Sequence, residues 1–504
     1  MTLSVASVLA ESAWRRPDHT ALVHGAERVT YAELWLRARR YAAALRGRGV
    51  RAGDRVAVLV PNGLDFPAVY YGALALGAVV VPVNALLKAP EIEQVLRDCG
   101  ARLLACAPSL HGTGGPAAGA AGVPLFEVGE AGVAGVEPIE RLVPTRPDDI
   151  ALVLYTSGTT GRAKGAMLTH FNVTMNIQTG MESPFAFRPD DVLLGCLPLF
   201  HTFGQICGMG TCFRAGATMV LMDRFEGAGA LDLMVRHGCT VVMGVPTMYL
   251  ALLDAARSDP RRPELNRAYS GGSALSVATL DEFEAVFGCP VYEGYGLTET
   301  SPCVSYNQPG MPRRPGKVGR PLWGVEVEIA RQDLEGRIEL LPAGEVGEVV
   351  IRGHNVMAGY LGRPEATAEV LVDGWFRSGD LGALDADGAL TLVGRKKELV
   401  IRGGYNVYPR EVEDVLAHHP AVAQAAVIGV PDARHGEEVC AVVRVREGYV
   451  ASDRLAGEIR EWGRERLAAY KYPRRIEFVT DFPLGPSGKI LKRELLGRYA
   501  AAVR

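Results

Sequence analysis

The sequence predicts an α/β protein: a large N-terminal region of helix-covered, mostly parallel sheets, then a smaller α+β region. Two observations lead there. Over residues 29–108, helical patterns alternate with short apolar runs such as Arg55-Val56-Ala57-Val58-Leu59-Val60, the βαβ rhythm of a parallel sheet with helices on its faces. That rhythm returns at 150–154, at Thr218-Met219-Val220-Leu221-Met222 and at Thr240-Val241-Val242-Met243, whereas beyond Gly347 the runs shorten and become strand-like. The chain has 504 residues, 48% of them hydrophobic, enough for a large core and for more than one domain.

In chain order, residues 72–87 read as a helix running into a buried strand at 78–81. Pro82, Asn84 and its short length keep this stretch from spanning a bilayer, which leaves only peripheral contact with a membrane. Residues 112–134, rich in Gly, Ala and Pro, read as a surface excursion. A buried strand at 150–154 leads into Tyr155-Thr156-Ser157-Gly158-Thr159-Thr160-Gly161-Arg162-Ala163-Lys164-Gly165. Thr169 then caps a helix through Asn172 and Met175. Near the C-terminus, a helix at 410–418 precedes strands at 422–429 and 439–445. Leu455, Ile459, Trp462 and Leu467 then form a helical stripe of core packing.

Bulk properties exclude some classes. A net charge of −3 offers no basic face for nucleic acid. Nine cysteines, an odd number without a C-x-x-C pair, fit reduced thiols in a cytoplasm. Residues 1–10 lack the basic start of a signal peptide. Eight lysines against 46 arginines make each lysine conspicuous.

The stretch 155–165 joins hydroxyls, glycines and one lysine between predicted strand and helix. Glycine lets backbone N–H groups approach an anion, hydroxyls donate to phosphate oxygens or ligate magnesium, and lysine adds a compact charge. These are the parts of a polyphosphate cradle, although the order differs from the G-x-x-x-x-G-K-[ST] P-loop. The stretch closely resembles the signature of the acyl-adenylate-forming synthetases, the superfamily of acyl-CoA synthetases, peptide-synthetase adenylation domains and luciferase. Six further segments resemble theirs in the same order, from Thr30-Tyr31-Ala32-Glu33-Leu34 to Gly488-Lys489, so the resemblance covers almost the whole chain.

The resemblance implies the acyl-adenylate synthetase fold, with an N-terminal domain over 1–396, a mobile C-terminal domain over 397–504 and a hinge at Lys397. It places ATP on Thr156, Ser157, Gly158, Thr159, Thr160, Gly161 and Lys164, and on the walls around Gly271, Gly272, Glu293, Gly294 and Tyr295. Thr298 bonds the α-phosphate, while Glu299 and Thr156 hold Mg2+. Arg377-Ser378-Gly379-Asp380 matches the ribose site, with Asp380 accepting both hydroxyls and Arg395 assisting. His201, in Leu197-Pro198-Leu199-Phe200-His201, borders the reacting carboxylate. Gly403, Gly404 and Arg214 face CoA, and Lys489 enters over the α-phosphate during adenylation.

The activity so implied is ATP-dependent conversion of a carboxylic acid to acyl-AMP, followed by transfer to CoA, with AMP and pyrophosphate released. Peptide-synthetase domains usually carry an aspartate at His201's position for the substrate amine, which argues against amino acids. Malonate-type synthetases commonly carry an arginine at Gly294's position, which argues against dicarboxylates. Met209, Cys212, Phe213, Met243, Val245 and Met248 suggest an apolar pocket. The expectation is an apolar monocarboxylate, a fatty acid first, with cinnamate- or coumarate-like aryl acids and a carrier-protein thiol acceptor as alternatives. Monomer and homodimer both remain open.

Overall fold

The computed structural model describes residues 2–156, 163–485 and 488–500. Two sheets with helices packed against them carry the N-terminal region. In the first, six strands run parallel, in the order Val291–Gly296, Arg267–Ser270, Val241–Gly244, Val192–Gly195, Thr218–Leu221 and Thr20–His24. Antiparallel strands extend both sides, Cys303–Tyr306 and then Arg320–Pro321 beyond Val291–Gly296, and Glu27–Thr30 beside Thr20–His24. In the second, Leu125–Glu127, Leu103–Cys106, Arg55–Leu59, Val79–Pro82 and Ile150–Thr156 are parallel, and Lys164–Thr169 and Gly359–Tyr360 add antiparallel strands. Their strands are apolar on both faces, as burial under helices on either side requires. Helix Tyr31–Gly47 begins where the motif Thr30-x-x-Glu33 forms a reciprocal capping box.

A third, antiparallel sheet contains Val325–Ala330, Gly347–Gly353, Trp375–Leu384 and Leu390–Arg395. The chain leaves it through the turn Lys396–Glu398 and enters a fourth sheet at Val400–Arg402. That sheet also holds Val422–Asp432, Gly436–Val445 and Arg475–Phe478. Helices Pro409–Ala417 and Asp453–Arg466 supply Val412, Leu416, Leu455 and Ile459 to its core. The Trp462 indole donates to the Val415 carbonyl, so the stripe at 455–467 is core packing.

Two expectations change. The segment after the cradle is strand Lys164–Thr169 before it is helix His170–Glu182, so the cradle joins two antiparallel strands. Ala166 and Leu168 face the core and pull the chain into the sheet before Thr169 caps the helix. Residues 112–134 are no excursion: His111–Ala121 is helical and Leu125–Glu127 extends the second sheet. The missing side chain permits this. A Cβ on Gly114 would lie 2.7 Å from Cys106 Sγ and 2.9 Å from Leu59 Cδ2, so glycine lets the helix lie directly on the sheet.

One buried ion pair fastens the first sheet to its surroundings. Arg267 meets Asp191 at 2.6 Å and also donates to the carbonyls of Phe185 and Ala186. Among the described residues, no helix is long and apolar enough to cross a membrane.

Candidate active site

A cavity of about 1490 Å³ opens where the first three sheets meet the C-terminal region. The cradle enters it from both ends. Thr156 closes one strand, and Lys164, its register partner, opens the next. Ser157, Gly158, Thr159, Thr160 and Gly161 lie outside the described residues. The Lys164 ammonium sits 5.1 Å from the centroid of the Tyr360 ring, and the Tyr360 hydroxyl donates to Glu299 Oε1 at 2.9 Å. One tyrosine therefore places the cation and the carboxylate expected to hold phosphate and metal. Thr298 and Glu299 lie together on the turn Thr298–Thr300. Thr156 and Glu299 offer the hard oxygen donors that Mg2+ prefers, on the wall that also carries Lys164.

Opposite them, Asp380 joins two sheets. Its Oδ2 accepts the Tyr295 hydroxyl at 2.7 Å, and its Oδ1 meets Arg395 Nε at 3.0 Å. A carboxylate has about four lone-pair sites, so capacity remains for a diol. Gly272, Gly294, Tyr295 and Arg395 line the cavity, and so does Lys397.

Lys489 reaches the same cavity from the other side of the chain. Thr247 donates its hydroxyl to the Gly488 carbonyl at 3.3 Å, docking the loop on the N-terminal region. Burial, with the Arg395 charge second, lowers the ammonium pKa to about 8. Just beyond, Lys492 lies between Glu413 at 2.7 Å and Glu398 at 3.3 Å. The helix that follows Lys489 is thus tied to the turn that carries Lys397.

His201 lines the cavity and is neutral: burial, then the Lys489 charge, bring its pKa to about 4. The Phe203 N–H donates to His201 Nδ1 at 3.2 Å, which leaves Nε2 to carry the proton of the neutral ring. Asn62 holds the preceding loop through the Leu197 carbonyl and the Leu199 N–H. Beyond His201 lies an apolar lobe with Phe203, Cys207, Pro302, Cys303 and Tyr306. Tyr306 packs its ring on Gly294, where a Cβ would fall 2.1 Å from the ring.

Several residues expected here lie elsewhere. Glu293 turns its carboxylate to the Gly316 N–H at 2.9 Å; burial raises it to about 7, and it supports the wall from behind. Gly271 lies under the Tyr306 hydroxyl and the Phe203 ring. Arg214 faces Glu11 at 3.7 Å, away from the cavity. Gly403 and Gly404 make an exposed hairpin turn, while Lys489 occupies the cavity. Met209, Cys212, Phe213, Met243 and Met248 are packed core; Val245 alone of that set borders a small adjoining recess beside Lys489. Tyr360, Tyr306, Cys207 and Cys303 also line the cavity, and no sequence motif marks them for it. Cys303 follows the Thr298-Glu299 motif closely enough that extending that wall by one strand would have reached it.

A cavity that gathers Thr156, Lys164, Thr298, Glu299, Asp380, Arg395 and Lys489 has the donors, carboxylates and cations that a nucleotide-dependent carboxylate-activating enzyme needs. The chain belongs to the AMP-binding enzyme family, in its acyl-CoA synthetase branch. The family's main model matches residues 9–361, and that of the AMP-binding enzyme C-terminal domain matches 411–489. A feruloyl-CoA synthase from Amycolatopsis sp is 41% identical over 490 residues, covering 96% of each chain. A long-chain-fatty-acid–CoA ligase from Bacillus subtilis (strain 168) is 33% identical over 536 residues, covering 97% of this chain and 93% of that one. Among solved structures, a benzoate CoA ligase from Burkholderia xenovorans LB400 superposes with a TM-score of 0.90 at 31% identity, over 98% of this chain and 99% of that one.

Proposed function

We propose that the protein ligates an aromatic monocarboxylic acid to CoA at the expense of ATP, through an acyl-AMP. The observation that carries the choice of acid is the Tyr306 ring seated on Gly294. It shares an apolar stretch of cavity wall with Phe203, Cys207 and Cys303, a lining suited to a flat ring. A fatty acid, the first expectation from sequence, needs a long apolar tunnel. Most of the residues expected to line one are packed core.

In this reading the acid carboxylate lies beside His201, whose Nε2–H donates to one oxygen. The other oxygen attacks the α-phosphorus of ATP, and pyrophosphate leaves. Lys164, Thr156 and the cradle hold the β- and γ-phosphates; Lys489 and Thr298 stabilise charge developing on the α-phosphate; Asp380 and Arg395 fix the ribose. Thr156 and Glu299 would hold Mg2+, which neutralises phosphate charge when bound. No side chain acts as a nucleophile, so catalysis is positioning and electrostatic stabilisation. The C-terminal domain, from 397, then turns about Lys397 and brings Gly403 and Gly404 to the cavity in place of Lys489. The CoA thiol attacks the acyl carbonyl, releasing AMP and the thioester.

A screen of pyrophosphate release and thioester formation tests this, using benzoate, ferulate, decanoate, palmitate, malonate and glycine, with and without CoA. Aryl acids are expected to exceed the others by at least about tenfold, with thioester formed only with CoA. A preference for palmitate overturns the aryl reading. A preference for malonate or glycine overturns the apolar-acid reading as well.

A further inference from the structure

Two thiols meet on the wall of the apolar lobe. Cys207 stands on the π-helical turn Phe203–Gly210, Cys303 opens the strand Cys303–Tyr306, and their sulfurs lie 3.3 Å apart. Both side chains line the cavity. All nine cysteines are buried, these two with 1% and 2% of their surface exposed, and no other pair of cysteine sulfurs lies within hydrogen-bonding distance among the described residues. In the reaction proposed above neither thiol forms or breaks a bond. π-Helical turns are rare and concentrate at functional sites. A thiol on such a turn, facing one on a strand, connects two separate pieces of the lobe's wall.

We propose that Cys207 and Cys303 are a modification site, an oxidisable dithiol that a small hydroperoxide entering the acyl lobe converts to a disulfide. The Cys303 sulfur attacks the terminal peroxide oxygen; the O–O bond breaks, and the alkoxide takes up the thiol proton and leaves as the alcohol. Cys303 is now a sulfenic acid. The Cys207 sulfur displaces its hydroxyl, which departs as water with the Cys207 proton. Two thiols have lost two electrons and two protons, and the hydroperoxide has become alcohol and water. Burial and the adjacent Cys303 push the Cys207 thiol up.

A disulfide bond is about 2.05 Å long, so closure brings the two sulfurs about 1 Å nearer than their 3.3 Å separation and ties the two wall segments to each other. The bond rests on the positions of the two sulfurs alone. Its effect, the exclusion of a ring from the lobe, rests on the aryl-acid reading above.

The test exposes the full-length enzyme to cumene hydroperoxide, blocks remaining thiols by alkylation and maps disulfides by peptide mass spectrometry. Pyrophosphate release is followed in parallel with the acid that the untreated enzyme uses best. Failure of the aryl reading therefore shows in the untreated enzyme and leaves this measurement intact. The expected result is a Cys207–Cys303 peptide that accumulates with at least a tenfold fall in kcat/KM for the acid. Dithiothreitol should reverse both, and acyl-AMP formed beforehand should slow both. Cys303→Ser and Cys207→Ala, each compared with its own untreated rate, should lose less than twofold. Absence of the linked peptide overturns the proposal even if either variant fails to fold. Formation of the peptide without loss of acid turnover overturns the closure, and equal inactivation of the variants overturns the assignment to this pair.

Discussion

Replacing Lys489 with alanine separates the two half-reactions. The ammonium pKa of about 8, against an ordinary 10.5, means that burying the charged lysine among protein groups alone costs about 3 kcal/mol at neutral pH. The sign follows from the direction of the shift. The penalty is fully present below pH 8, where the lysine is charged, and it fades as pH rises from 8 towards 10.5. An α-phosphate opposite Lys489 offsets that cost, so the lysine acts when nucleotide is bound. Lys489→Ala should therefore slow acyl-AMP formation by about 10²–10³, the scale of losing one transition-state donor. Conversion of supplied acyl-AMP to thioester should change less than about threefold. In the wild type, kcat/KM for ATP should fall about tenfold per pH unit above pH 8, as the free enzyme loses this proton. Lys489→Arg should abolish that break. Pyrophosphate release and thioester formation from synthetic acyl-AMP are the assays. Equal loss in both half-reactions would refute the assignment of Lys489 to adenylation alone, and an unchanged pH break in Lys489→Arg would refute the source of the break.

Gly294→Ala puts a Cβ 2.1 Å from the Tyr306 ring, so it should destabilise by about 1–3 kcal/mol and cut acid kcat/KM at least tenfold. Tyr306→Ala in the same chain should restore stability, read by thermal melting. Tyr360→Phe keeps the ring near Lys164 but removes the hydroxyl from Glu299, so titration of adenylation and of Mn2+–ATP binding should show metal affinity falling by about tenfold. Asp191→Ala leaves Arg267 buried and unpaired; urea denaturation should show a loss of about 3–5 kcal/mol. His201, at about 4, should add no pH break between 5 and 8, where it stays neutral throughout.

What could be read from sequence was local in chain and dense in motif. Thr298, Glu299, Asp380, Arg395 and Lys489 sat in recognisable segments, and all of them line one cavity. What escaped depends on partners distant in the chain. Nothing near Tyr360 indicates that Glu299, 61 positions earlier, needs its hydroxyl. Cys207 and Cys303, 96 positions apart, look like ordinary apolar residues until a helix and a strand bring them together. Composition at 112–134 is ambiguous because Gly114 and Gly132 serve close packing, and a turn uses the same residue. Glu293 shows the converse: it belongs to the motif, yet its carboxylate accepts the Gly316 N–H behind the wall.

Lys492, held between Glu398 and Glu413, bears on precision as well as on stability. Under the domain-rotation reading, the pivot and the reacting ammonium belong to one lever, and this lysine is its stiffener. A lever magnifies small angular errors at its fulcrum into displacements at its tip. Glu413 also accepts the Val427 N–H, so the stiffening reaches into the C-terminal sheet. Substitutions on that sheet, far from any substrate, therefore have a mechanical route to the placement of Lys489. The fidelity of the chemistry would be set partly by how little this small domain bends.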